Sequence, residues 1–381
     1  ISADIKAGLP RHNYIQQSIP NQNSFRQGDA DDRRTKYIAE ANDQLISEQS
    51  LMMPDELLFP AGVHIIETDL ITPRGVGVTI SAGAQLLLGP SVNIVINGPL
   101  RVLGKIDRPV SIRRLLDDQA WGLIGVVGTK EWSKIEFGEI NGGGSGLPNQ
   151  IHGINFNGQI NFHYSPVEIL NSTITNSGGE DALNIVKTQF KISNVNFTNN
   201  RGDAFDGDWV KGTIDASSFA YGGNDGLDIS GSRVKLSNSS FSQFGDKAIS
   251  VGEQSLLNAE NIRIGESLVG VAVKDLSKFH GNQISIDNNA VGLALYRKKP
   301  LFGGGFASGE NFAFNGNMKN LILDGFSNSK IQSAISLEPQ PQTLAVGNHK
   351  ELSIEENNEL LTQALRTSLP SALWAKLGLL D

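Results

Sequence analysis

The chain has 381 residues, no cysteine, 42 glycines and a formal net charge of -8. The missing cysteine excludes disulfide frameworks, thiolate metal sites and cysteine nucleophiles. The acidic balance argues against a nucleic-acid partner, which calls for a basic footprint, and 39% hydrophobic against 19% charged residues excludes a disordered chain.

No run approaches the roughly 18 apolar residues of a membrane span. The chain opens on Ile1 rather than Met, which reads as a processed or trimmed piece, from which any export signal would already be gone. Residues 1–30 are polar and irregular. Asp31 to Met53 places Tyr37, Ile38, Ala41, Leu45 and Ile46 at helical spacing. From Pro60 to Phe137 come short apolar runs bounded by Gly or Pro, such as Val78-Thr79-Ile80, Gln85 to Leu88 and Asn93 to Ile96, which read as short strands. Gly142 to Gly146 has no following Lys and no strand-to-helix context, so it is a flexible loop and not a phosphate cradle. The six histidines (His12, His64, His152, His163, His280, His349) show no metal-ligand spacing.

A repeat then dominates the sequence. Ala182-Leu183-Asn184 aligns with Ala204-Phe205-Asp206, Gly226-Leu227-Asp228, Ala248-Ile249-Ser250, Gly270-Val271-Ala272 and Gly292-Leu293-Ala294, each about 22 residues after the last. The columns starting at Leu183 and Ile185 are apolar, apart from Gly207, and face inward. Those between them, Asn184-Asp206-Asp228-Ser250 and Val186-Asp208-Ser230-Gly252-Lys274-Tyr296, face outward. This alternation is a half-buried strand. Ile192, Ile214 and Leu236 repeat as well, as do Phe197, Phe219 and Phe241, so each unit holds several strands and is one coil of a solenoid. Arg297 to Asn317 breaks the period and reads as a long projecting loop. Ile354 to Leu380 is helix-like. The expected organisation is a terminal cap over 1–57, a solenoid over 58–345 and a helical cap over 346–381.

Adjacent coils stack about 4.8 Å apart, so residues of one column are neighbours. Asp206 falls beside Asp228, and Asp181, Asp203 and Asp225 form a turn column that Lys247 continues. Two carboxylates at that spacing repel by about 3–4 kcal/mol at an effective dielectric of about 20. Raised pKa values, interleaved cations or a bound metal must compensate. All-oxygen ligands select a hard cation, Ca2+ first. A solvated acidic stripe explains the turn column equally well, but not Asp206 and Asp228 inside strands, where Asp is depleted. Asp203, Asp206, Asp225 and Asp228 are therefore the candidate metal ligands. Lys247 and Lys274 lie just beyond, as do Arg297, Lys298 and Lys299. Trp209, Tyr221 and Tyr296 lie near the same face, where each serves either packing or sugar stacking.

The stacked Phe and Asn columns resemble a right-handed parallel β-helix of the pectate-lyase-like superfamily over residues 60–340. Asp203, followed one coil later by Asn224-Asp225-Gly226-Leu227-Asp228, resembles the Ca2+-binding motif of family 9 pectate lyases, with Asn224 departing from it. That resemblance implies an all-β solenoid, a Ca2+ site on the aspartates, a lysine base (Lys247 or Lys274), and β-elimination or a related reaction on an acidic uronate polysaccharide held by Arg297, Tyr296, Trp209 and Tyr221. An extracellular, cell-surface or periplasmic location goes with it. The rival is a non-catalytic polysaccharide-binding or surface structural protein. A polygalacturonase pattern fails, because Lys247 stands where a second Asp is needed and Gly270-Val271-Ala272 where Gly-His-Gly is needed.

Overall fold

The computed structural model of the protein describes residues 56–145, 149–151, 153–333 and 340–341. The sequence repeat is realised as stacked coils. Strand Asp181–Val186 pairs in parallel with Asp203–Asp208, and the ladder continues through Leu227–Ser230, Lys247–Gly252, Val269–Lys274 and Val291–Tyr296. Phe205 lies opposite Leu227, Asp206 opposite Asp228 and Leu227 opposite Ile249, a step of 22 residues. Twelve strands form this sheet and seventeen form a second one that supplies the other walls of the coil. The chain is a right-handed parallel β-helix, the hand that twisted strands impose on parallel crossovers. Among the described residues, no helix is long and apolar enough to cross a membrane.

The interior follows from the alternation. Leu183, Phe205, Leu227, Ile249, Val271 and Leu293 are all fully buried in one column. Phe197, Phe219 and Phe241 stack face to face, with centroids 4.6 and 4.5 Å apart and rings within 6° of parallel. Each buried ring contributes roughly 1.5–3 kcal/mol of apolar burial. At the corners, serines complete the backbone hydrogen bonding. The Val210 N–H donates to Ser232 Oγ at 2.9 Å, Ser232 N–H to Ser255 Oγ at 2.9 Å, and Ser255 N–H to Ser277 Oγ at 3.2 Å. Buried donors left without such partners would each be costly.

Two expectations change. The projecting loop is shorter than the break in the repeat implied. Phe306–Asn315 is a ten-residue strand pairing with Lys278–Asp287, Lys278 opposite Phe306. That coil is 28 residues long, so the extra residues sit in the segment 297–305 and shift everything after them out of phase. Gly142, Gly143 and Gly144 are buried, and a Cβ at Gly143 would come within 2.6 Å of the Trp121 ring. The absence of side chains there lets the turn close on the indole; it is a packed element and not a flexible loop. Both expected caps lie almost wholly outside the described residues.

The outer face of the twelve-stranded sheet is covered at one end. There the chain leaves the coil as a small antiparallel hairpin, Asn149–Ile151 with Ile154–Phe156. Phe156 packs with Val95 and Leu123, and its ring lies against Gly125, where a Cβ would approach it to 2.7 Å. Further along the same outward column, Ala272, Ala294 and Ile322 belong to a second apolar cluster with Tyr296 against it. Between these apolar ends the column reads Asn161, Asn184, Asp206, Asp228 and Ser250. The polar stretch is where chemistry is positioned.

Candidate active site

Three carboxylates converge there. Oxygen atoms of Asp203, Asp225 and Asp228 lie within 4.8 Å of one another. Asp203 begins one strand, Asp225 occupies the turn of the next coil, and Asp228 is the second residue of the strand that follows it. The 22-residue register brings the first two side by side. Asp203 Oδ1 accepts the Asp225 backbone N–H at 2.8 Å and the Asn224 amide at 2.6 Å. Asp225 Oδ1 accepts the Lys247 N–H at 3.0 Å. Burial, then the charge of Asp225, pushes the Asp203 carboxyl up to about 7 against the pull of those donors. Burial raises Asp225 to about 6, with Lys247 opposing and Asp246 and Asp228 reinforcing the rise.

The site fits a hard divalent cation on an observation of its own. Asp228 Oδ1 is buried and has no hydrogen-bond partner, whereas buried polar atoms are normally paired. An all-carboxylate donor set suits Ca2+, which takes six to eight oxygens and would leave positions for water or a ligand. Asp206, the fourth expected ligand, is placed differently. It stands beside Asp228 in the ladder, but its Oδ2 accepts the Asn184 amide at 2.7 Å. Asn184 in turn accepts from His163 Nε2 at 2.9 Å. Asp206 and Asp181 are both pushed well above the usual carboxylate range, by burial first and by neighbouring aspartates second. Asp181 is 2% exposed, and its Oδ2 has no partner.

Both candidate lysines point into this region. Lys247 Nζ bridges Asp225 Oδ1, at 3.1 Å, and Asp246 Oδ2. Burial works against its charge, but Asp225 and Asp246 outweigh burial and hold the ammonium protonated. Lys274 is 5% exposed and donates to Ser250 Oγ at 2.8 Å. Burial again lowers its affinity for the proton, and the fields of Asp228, Tyr296 and Asp225 together more than restore it. A third lysine was not singled out from the sequence. Lys298 is held below the ordinary lysine range, by Lys274 first, then burial, then Lys247. Its backbone is fixed, because the buried Asp275 Oδ1 accepts the N–H groups of Lys298 and Lys299 at 2.8 Å each. The only sequence signal for it was the basic run after Tyr296, at the point where the repeat breaks.

The remaining candidates divide. Arg297 donates its backbone N–H to Asp324 Oδ2 at 2.7 Å, and its guanidinium lies 3.6 Å from the centroid of the Phe326 ring. Tyr296 sits next to Lys274 in the ladder and packs on the downstream apolar cluster; burial raises its phenol. Trp209 and Tyr221 are both exposed. Trp209 follows the strand bearing Asp206, and Tyr221 precedes the turn bearing Asp225, so they border the acidic face on opposite sides.

No protein-family model matches the sequence, and no curated protein matches it. Among solved structures the chain is similar to the periplasmic alginate epimerase AlgG, at 10% identity over 77% of this chain and 82% of that one, with a TM-score of 0.47. It is similar to the A-module of the Azotobacter vinelandii mannuronan C-5 epimerase AlgE4, at 12% identity over 79% and 92%, with a TM-score of 0.40. It is also similar to pectate lyase Pel9A, at 9% identity over 67% and 70%, with a TM-score of 0.30.

Proposed function

We propose that the protein is a Ca2+-dependent lyase acting on an acidic, uronate-containing polysaccharide outside the cytoplasm. The observation behind this reading is the convergence of Asp203, Asp225 and Asp228 next to buried lysines on one outward sheet face. Those three aspartates would hold the ion, whose chemistry is to neutralise the uronate carboxylate and acidify the C5 proton. Lys274 is the base. It takes the C5 proton as the C4–C5 double bond forms and the C4–oxygen bond breaks, and the departing oxygen picks up a proton. Neutralising Asp228 removes the largest attraction that holds Lys274 protonated, while Lys247 and Lys298 continue to repel its charge. Lys247, tied to two carboxylates, positions Asp225 rather than moving a proton. Asp206 is held back by Asn184 and sets the field behind the site.

A second reading, a polysaccharide-binding protein without turnover, draws on one observation. Both Lys247 and Lys274 are held as ammonium groups, which suits binding an anionic chain better than abstracting a proton. The deciding measurement is the ultraviolet absorbance of unsaturated product from a panel of polyuronates, with Ca2+ and with chelator. A Ca2+-dependent rise on one polymer, lost in Lys274→Ala with the fold intact, is the expected outcome. No rise on any polymer would sink the lyase reading in favour of binding.

A further inference from the structure

One corner of the solenoid is built against local preference. Where the strands of the acidic face end, successive coils place Tyr164, Lys187, Trp209 and Gly231 in equivalent positions. The N–H of each of the first three donates to the next coil, to Val186 O, Asp208 O and Ser230 O. All four are left-handed, with φ of 52°, 51°, 50° and 62°. Glycine is the unstrained choice there, and bulky aromatic residues are disfavoured. Packing does not compensate, since Tyr164 is 56% and Trp209 60% exposed. Left-handed corners recur along the solenoid, at Ala216, Gln254 and Leu276 among others, so what sets this one apart is the exposed side chains it carries.

Their arrangement is specific. The Lys187 ammonium lies between the two rings, 5.6 Å from the Tyr164 centroid and 5.2 Å from that of Trp209. Among the described residues Lys187 makes no ion pair, although its field reaches Asp208. Beyond Trp209 the corner is Gly231. A Cβ there would lie 2.6 Å from Trp209 Cδ1 and 2.8 Å from Nε1. The five-membered ring of the indole therefore takes the space a side chain at position 231 would fill, and Trp209 as a whole remains exposed. An exposed aromatic plate with an unpaired ammonium beside it matches a sugar ring that carries a carboxylate.

We propose that Tyr164, Lys187 and Trp209 form a binding subsite for an anionic polysaccharide, with a pyranose ring stacked on the exposed indole and its carboxylate on Lys187. It rests on the acidic-polysaccharide reading above and deepens it. Because successive coils supply the three residues just past the strands that bear Asn184 and Asp206, an occupant lies along the helix axis and beside the carboxylate face. The subsite lies outside the carboxylates and lysines and works without them.

The test is calorimetric titration of the full chain with short oligogalacturonates and oligomannuronates in chelator, alongside lyase assays in Ca2+. Trp209→Ala is expected to weaken binding about tenfold, and Lys187→Gln to weaken it similarly and flatten its dependence on salt. Circular dichroism should be unchanged in both. Binding with this pattern in a protein that never yields unsaturated product would retire the lyase reading and keep the subsite. A lyase whose KM and oligosaccharide affinity are unmoved by both substitutions would keep the enzyme and overturn the subsite. A wild-type chain that binds none of these oligosaccharides overturns it too.

Discussion

At the scale of single residues, the acidic face is an unfavourable arrangement held in place by the fold. Asp181, Asp203, Asp206 and Asp225 all have folded pKa values raised above the ordinary carboxylate value, with Asp203 at about 7 and Asp225 at about 6. A raised carboxyl stabilises the fold at low pH and loses that contribution as pH rises through its folded value. His163 opposes this. Burial lowers its pKa against the hydrogen bond that it donates to Asn184, so its contribution is lost as pH falls. With Asp208, which burial also raises, five carboxyls outweigh one imidazole. The melting temperature in chelator should therefore fall between about pH 5 and about pH 8, and Ca2+ should restore most at the alkaline end. Asp228→Asn should abolish the Ca2+ response while leaving the metal-free protein at least as stable; differential scanning calorimetry checks both. The aspartates were legible in the sequence because the step of 22 residues puts Asp203 beside Asp225 and Asp206 beside Asp228 whatever their rotamers. The roles of the lysines were not legible. Lys247 shares a column with Asp225, and only its side-chain path shows that it is tied to Asp225 and Asp246. Lys298 lies just past the break in phase, where column arithmetic no longer applies.

At the scale of elements, stability sits in ladders of like residues. The Phe197–Phe219–Phe241 stack was readable from its period, and it forms as expected. Phe219→Ala, at its centre, should cost about 3–5 kcal/mol in urea denaturation, because stacked coils leave little room to collapse into the cavity. A second ladder shows a gap. Asn171, Asn194, Asn238 and Asn261 all occupy left-handed corners, and Asn194 and Asn261 donate to the asparagine one coil before at 2.8 and 2.9 Å. Ala216 occupies the equivalent corner at φ 47°, with neither asparagine's tolerance of that conformation nor a side-chain amide. Ala216→Asn should raise stability by about 0.5–1 kcal/mol in the same assay. The strand Phe306–Asn315 was missed for the opposite reason. Its Phe312 and Phe314 are buried like their counterparts, but the lengthened coil before them moved them off the period.

At the scale of the whole molecule, each coil touches only its neighbours, so stability is a sum of local and nearest-neighbour contributions. The central coils, with the phenylalanine stack inside and the serine seam at the corner, should be the last to open. Hydrogen exchange is expected to be slowest over roughly residues 181–252 and faster toward either end. Uniform exchange along the solenoid would show a single cooperative unit instead.

The strict step of 22 residues has a consequence for how such a molecule changes over generations. A tandem copy of residues 209–230 placed after Ser230 would find the same partners above and below as the original. It would lengthen the acidic face by one Asp225 and one Asp228 without remodelling anything else. A single extra residue is taken up at a corner, as where Arg233 pairs with Leu256, but a longer insertion that is not a whole coil must be expelled as a loop, as the segment 297–305 is. Growth and shrinkage of this molecule are quantised, and the capacity of its acidic face is inherited in whole coils.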